Sequence, residues 1–288
     1  MAFISYFLFL LGQLLAPEVQ NQFPNPNPSF TFFVGTYTRE ESKGIYSYTI
    51  NEEGKFSLLG LAAETSNPSY LTKSWDGKYL IAANENRNGE GTGGTITSFH
   101  VRNESLEQRN AESSGGDSPC FVQMNEKGII LTANYNSGTV AISKLDSEGR
   151  ISSPLQIIQH SGQGTHPRQN APHAHSAWFL PDNQIATVDL GANKLNFYTL
   201  VTKDPQVWAE QIAEVQMEIG AGPRHLAVHS NGNWIYVLNE LNSTVSFIQK
   251  REKEDYHLIQ SISTLHEGIT VENLGADIHL SLDGKFLY

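Results

Sequence analysis

One cysteine, Cys120, stands in 288 residues, so no disulfide can close within the chain. It lies in the apolar run Pro119, Cys120, Phe121, Val122, where a small buried hydrophobe is the expected role ahead of a nucleophile. Charge is sparse at 17% of residues, and the scarcer sign is positive: 19 Lys and Arg against 30 Asp and Glu, a formal net charge of −11. That balance argues against nucleic acid or an anionic membrane surface as partner, because either would attract a basic face. It does not exclude a small anionic substrate, because a few Arg and His in a pocket reverse the field locally. The repeats described below contain no stretch with a helical period and caps. Nor is there a Gly-x-Ser-x-Gly elbow, so a serine nucleophile of that kind is not indicated.

Long apolar runs are missing apart from Met1–Leu15 (MAFISYFLFLLGQLL), which is short for a bilayer span and resembles the apolar part of a secretory signal. Residues 1–16 are expected to be a signal peptide and 17–30 a Pro/Asn-rich leader, containing QNQFPNPNPS from Gln20. Two acceptor sequons, at Asn103 and Asn242, are compatible with a secreted protein. Secretion is thus the expected localisation, with the cytoplasm as the alternative and no membrane contact once the signal is removed.

What the chain does have is a repeat. A Pro or Ala followed by a short apolar run recurs at Pro68 (PSYL), Pro119 (PCFV), Pro172 (PHAHSA), Pro223 (PRHLAV) and Ala276 (ADIHL), at spacings by subtraction of 51, 53, 51 and 53. A second run follows each, beginning at Gly77, Gly128, Asn183, Gly232 and Gly284, and a third at Gly94, Gly138, Asn193 and Ser243. A weaker fourth run closes each unit. The pieces are short, rich in β-branched and aromatic residues, and bounded by Gly, Asn, Asp or Ser. Four short strands (a to d) per unit, repeated at this period, predict an all-β fold: a β-propeller of four-stranded antiparallel blades. Segments from Phe32, Gly44 and Phe56 align with strands b, c and d of an earlier unit, and Tyr288 falls inside strand b of a later one. Residues 31–288 are therefore expected to hold four complete and two partial blades, an open ring expected to be poorly soluble or inactive alone.

In such a sheet the start of strand a and the end of strand b lie on one edge, so their residues converge on one mouth of the central channel. Those positions hold His173 and His175, Arg224 and His225, His279, and Asn84-Glu85, Asn134, Asp189 and Asn239-Glu240. His173 and His175 share a strand face by the period of two, and suit an acid/base pair or half a metal site. Arg224 suits a carboxylate or phosphate, or an ion pair with Glu240. Asp189 also reads as a turn residue (Asp189-Leu-Gly191).

At these residues the sequence resembles the lactonase family of seven-bladed propellers, the bacterial 6-phosphogluconolactonase type, in one superfamily with carboxy-cis,cis-muconate cyclase. The resemblance is carried by FVGTYT from Phe33, HPRQ from His166 with PHAHS from Pro172, DLG from Asp189, GPRHLAVH from Gly222, NEL from Asn239 and ADIHLSLDGKFLY from Ala276. It implies hydrolysis of a sugar lactone, or closure of an unsaturated diacid, with no cofactor and no metal, by a monomer or weak dimer. The family's catalytic set is a His, two Arg and a Glu. By motif the His falls on His175 (or His173), one Arg on Arg224 and the Glu on Glu240; the second Arg belongs just beyond DGKFLY, past the last residue of this sequence. In this scheme His175 is the base for water, and Arg224 and His225 stabilise the oxyanion or hold a substrate anion. Glu240 orients Arg224, or acts as acid if burial raises its pKa. Arg168 and Gln169, in the loop before the His pair, are expected to contact substrate, along with His173, Asp189 and His279. The rival readings are a secreted propeller that binds a ligand or partner without turnover, and a metal site on His173, His175 and a carboxylate.

Overall fold

The computed structural model describes residues 30–288 apart from 88–92 and 270–272. The expected signal peptide and nearly all of the leader lie outside the described residues. The first sheet has three strands, β1 (Phe30–Gly35), β2 (Gly44–Ile50) and β3 (Phe56–Glu64), in the order β1-β2-β3. Four four-stranded antiparallel sheets follow. The second blade is β4 (Pro68–Lys73), β5 (Tyr79–Asn84), β6 (Thr95–Arg102) and β7 (Ser105–Ser113). The third is β8 (Pro119–Met124), β9 (Ile129–Asn134), β10 (Thr139–Lys144) and β11 (Gln156–Gln159). The fourth is β12 (Ala174–Leu180), β13 (Gln184–Asp189), β14 (Lys194–Lys203) and β15 (Gln206–Gln216). The fifth is β16 (Pro223–Val228), β17 (Trp234–Asn239), β18 (Thr244–Glu252) and β19 (Asp255–Ser263). Beyond it, the backbones of His279 and Tyr288 pair, as the start of a further unit. Four complete and two partial units match the repeat.

Each blade is a meander of sequential antiparallel strands, and in the four complete blades strands a and b are joined by turns of three to five residues. In the a-to-b turns Gly77, Gly128, Gly232 and Gly284 take φ between +71° and +73°, a region that costs glycine nothing. The fourth blade has no glycine there, and Asp182 and Asn183 adopt φ of 61° and 55° instead. Asn and Asp tolerate that region better than other side chains.

The core lies between blades rather than within them. Along β13, Ile185 packs toward the third blade with Phe121, Leu131 and Ile142, while the next residue, Ala186, packs toward the fifth with Leu226, Val237 and Ile248. All six residues of β9 and of β13 are buried, because both sheet faces are covered. That is why these strands show no alternation of apolar and solvent-facing polar residues, although Thr132, Asn134, Gln184, Thr187 and Asp189 lie within them. Phe197 and Tyr256 stack across the fourth and fifth blades with centroids 3.7 Å apart. Each large side chain so buried contributes about 1.5–3 kcal/mol. The a strands β4, β8, β12 and β16 pack side by side around the channel, which brings their starts to one mouth.

Candidate functional site

The register of each complete blade skips one residue where strand a begins. Pro68 faces Asn84, but Tyr70 faces Ala83; Pro119 faces Asn134, but Phe121 faces Ala133. Ala174 faces Asp189, but Ser176 faces Val188; Pro223 faces Asn239, but His225 faces Leu238. The skipped residues are Ser69, Cys120, His175 and Arg224. A β-bulge leaves one residue unpaired and re-aims its side chain, and all four of these line one cavity of about 330 Å³ at the channel mouth. The register also corrects the repeat alignment. The fourth blade's counterpart of Pro223 is Ala174, two residues after Pro172, so His175 and Arg224 are equivalent positions.

Strand b supplies the opposite wall in a regular way. Its last residue (Asn84, Asn134, Asp189 or Asn239) is buried and serves the blade itself. Asn84 accepts from Thr97 Oγ1 at 2.7 Å, and Asn239 donates to Thr244 Oγ1 at 2.8 Å. The residue after it faces the cavity in three blades: Glu85, Tyr135 and Glu240.

At the centre is a carboxylate shared by two guanidiniums. Glu240 Oε2 accepts from Arg224 Nε at 3.1 Å, and Oε1 accepts from Arg168 Nη1. His175 Nε2 stands 3.7 Å from Glu240 Oε2. Burial first, then the neighbouring Arg224 and His225, hold the His175 imidazole well below its ordinary pKa. It is therefore neutral at pH 7, and one of its ring nitrogens carries a lone pair that can take a proton. Two guanidiniums around one carboxylate make this mouth locally positive in an acidic protein.

Arg168 reaches the site from a 3₁₀ turn, Pro167–Gln169, capped by His166. Gln169 does not line the cavity. It is fully buried and pegs the turn, donating through Nε2 to Leu190 O at 2.8 Å and Asn193 Oδ1 at 3.1 Å. His225 is buried and lines the cavity, with Nδ1 2.9 Å from Asp277 Oδ1. Burial lowers its pKa, and Asp277 only partly offsets this. Asp277 itself, despite partial burial, is held well below the carboxylate range by His225.

Three further residues expected at the mouth lie outside the cavity lining. His173 precedes strand a, stacks flat on Tyr135 and faces the Tyr135 carbonyl through Nδ1 at 3.0 Å. The bulge at His175 ends the alternation that would have put both imidazoles on one face. Asp189 has no exposed surface; it accepts from the His173 and Ala192 backbone N–H groups and lies 2.7 Å from His160 Nδ1. Its turn needs Gly191, where a Cβ would fall 1.9 Å from Ala171 O. His279 is exposed and contacts the outer oxygen of Asp277 at 2.9 Å. Arg224 Nη1 also donates to the carbonyl of Ala276, so the segment Ala276–His279 braces both Arg224 and His225.

The cavity holds residues that the sequence reading left out: Tyr37, Tyr70, Arg87 and Tyr135. Tyr135 had a signal, because Asn134-Tyr135 repeats the Asn84-Glu85 and Asn239-Glu240 pattern. Cys120 also lines the cavity, and burial pushes its thiol pKa up, the opposite of what a nucleophile needs. Among the described residues no three His, Cys, Asp or Glu side chains are grouped as a metal site. None of the described residues forms a helix long and apolar enough to cross a membrane.

The family model for "Lactonase, 7-bladed beta-propeller" matches residues 31–288. The chain belongs to this lactonase family. It is 34% identical over 262 residues to the 6-phosphogluconolactonase of Bacillus subtilis (strain 168), covering 89% of this chain and 73% of that protein. Among solved structures, it is similar to a periplasmic gluconolactonase of Pseudomonas aeruginosa (TM-score 0.84, 29% identity, 90% of this chain and 75% of that one). A putative 6-phosphogluconolactonase of Bacteroides fragilis gives a TM-score of 0.80 at 30% identity, over 95% of this chain and 76% of that one. For a lactonase-family chain, a cavity with a neutral imidazole beside paired guanidiniums is a setting suited to acyl chemistry on a small anionic or polar lactone.

Proposed function

We propose that this protein hydrolyses a sugar lactone, 6-phosphogluconolactone or a near relative, at the channel mouth. The observation that carries the reading is the neutral His175 imidazole held 3.7 Å from a carboxylate that two arginines share. Lactone opening needs a base for water, a donor for the developing oxyanion and a proton for the leaving alkoxide. His175 takes a proton from water as the water oxygen attacks the lactone carbonyl carbon. The carbonyl oxygen gains negative charge, which the Arg224 guanidinium faces and stabilises. Glu240 holds Arg224 and Arg168 in place, and its charge offsets the imidazolium formed on His175. When the ring C–O bond breaks, the same imidazolium returns its proton to the alkoxide, leaving the open acid and His175 as it began. Arg168 and Arg224 also suit the anionic group of a phosphorylated or carboxylated substrate.

The test is hydrolysis of glucono-1,5-lactone and its 6-phosphate by the purified chain, against the buffer rate. An excess rate that His175→Ala removes is the expected result. A wild-type rate equal to buffer, which is the outcome the open ring alone would lead one to expect, or a mutant equal to wild type, overturns the proposal. With no excess rate, binding of the same compounds would favour a propeller that holds a ligand without turnover.

A further inference from the structure

Tyr135 stands where several of the cavity's groups meet. Its ring lies flat against His173, centroids 4.4 Å apart with 9° between planes, and edge-on to His175 at 5.4 Å. The phenol oxygen accepts a hydrogen bond from Arg168 Nη2 at 3.1 Å. That direction is forced, because a guanidinium has five donors and no acceptor. The phenol's own proton therefore remains to be given elsewhere. Among the described residues it has no acceptor, and the residue lines the cavity. Tyr37, in the same cavity, differs: it donates its proton to Glu85 Oε2 at 2.7 Å. Burial raises the Tyr135 phenol above its ordinary pKa, although Arg168 works against this, so the proton is present at neutral pH.

We propose that the Tyr135 hydroxyl donates a hydrogen bond to the lactone carbonyl oxygen in this cavity, with Arg168 fixing and polarising it. The inference rests on the lactone-opening reading above. The O–H bond stays intact, so the step adds no proton to the balance. Its bond to the carbonyl oxygen strengthens as charge builds there, which places its effect on kcat more than on KM. Arg168 thus acts twice, once through Glu240 and once through a donor of its own.

Tyr135→Phe keeps the ring, its stack on His173 and the backbone carbonyl that faces His173, and removes only the hydroxyl. With glucono-1,5-lactone, the expected result is a kcat lowered about 10- to 100-fold, KM within about threefold and an unchanged melting temperature. Binding of gluconolactam, which is not hydrolysed and whose amide carbonyl is a stronger acceptor than the lactone's, is expected to weaken about tenfold on Tyr135→Phe in wild type, and about threefold in Arg168→Ala, where the hydroxyl is no longer polarised. A Tyr135→Phe protein with wild-type kcat overturns the proposal while leaving lactone opening intact. So does a binding loss that vanishes once Arg168 is gone, since Tyr135 would then act only through the arginine. A variant that fails to fold also counts against it, because a hydroxyl the fold requires is not one left for substrate. Tyr135-dependent lactam binding without any lactone turnover removes the hydrolytic reading and keeps the donor. Absence of both binding and turnover in wild type overturns both.

Discussion

Arg224 Nε lies 3.1 Å from Glu240 Oε2, and the other oxygen of that carboxylate is taken by Arg168. One buried acid thereby fixes two cations, one from a strand of the fifth blade and one from the turn that precedes the fourth. Glu240→Gln keeps the shape and removes the charge. The expected rate of lactone hydrolysis falls about 100-fold or more, on the scale of a lost transition-state interaction. The stability cost is expected to be about 1–2 kcal/mol, below that of a fully buried pair because the Arg168 side chain is 40% exposed. Steady-state rates and a urea titration of the two proteins read these separately.

The depressed pKa of His175 sets the expected pH profile. The base must be unprotonated to work, and burial with Arg224 and His225 nearby keeps it so well below pH 6.5. Activity is therefore expected to stay level through neutrality, with its acid limb displaced below the ordinary histidine range. An acid limb centred at or above 6.5 would remove His175 from the base role.

Stability should follow the same imidazoles. Folding lowers the pKa of both His175 and His225, so below about pH 6.5 the unfolded chain binds protons that the folded one refuses. Their contribution is complete above 6.5 and is lost as pH falls from there toward the folded values. Melting temperatures at pH 8, 7, 6 and 5 should hold level at the first two and then decline, and His225→Gln should flatten the decline.

Cys120 occupies a bulge position equivalent to that of His175, yet its thiol is raised by burial and lies 3.8 Å from His175 Nδ1. At neutral pH it is expected to react slowly with iodoacetamide, and Cys120→Ser is expected to keep hydrolysis within about threefold of wild type. Rapid alkylation with complete loss of activity would instead make it a nucleophile.

Asp189 is predicted to matter for folding rather than for substrate. Replacing it with Ala leaves His160 and two backbone N–H groups without their acceptor in a site with no exposed surface. A loss of about 3 kcal/mol or more is expected, with KM unchanged in whatever protein remains folded at low temperature.

Strand identity was legible in the sequence because each blade is a short-range meander whose period, turn residues and apolar runs agree. Legibility failed where backbone geometry departs from simple alternation. Pro172 resembles the prolines at 68, 119 and 223, yet Ala174 takes their place opposite the end of strand b. The bulge that follows sends His175 into the cavity and leaves His173 stacked on Tyr135, which a period of two does not foresee. Arg224, Glu240 and His225 were found because charged or titratable groups at a predicted channel mouth are conspicuous. Gln169 and Asp189 carry the same chemical appearance, and what separates a peg from a contact is that both are enclosed by internal hydrogen-bond partners and neither lines the cavity. Tyr37, Tyr70 and Tyr135 were overlooked because an aromatic next to a strand reads as core until its hydroxyl is seen in a cavity.

The repeated bulge means that each complete blade presents one side chain to the cavity through the same backbone device, independent of what that side chain is. Serine, cysteine, histidine and arginine all occupy it here, with the ladder on either side continuing in the same way. The four bulges thus form a ring of fixed sockets whose occupants differ while the scaffold does not, and Glu240, Tyr135 and Arg168 are brought to the same cavity by other elements.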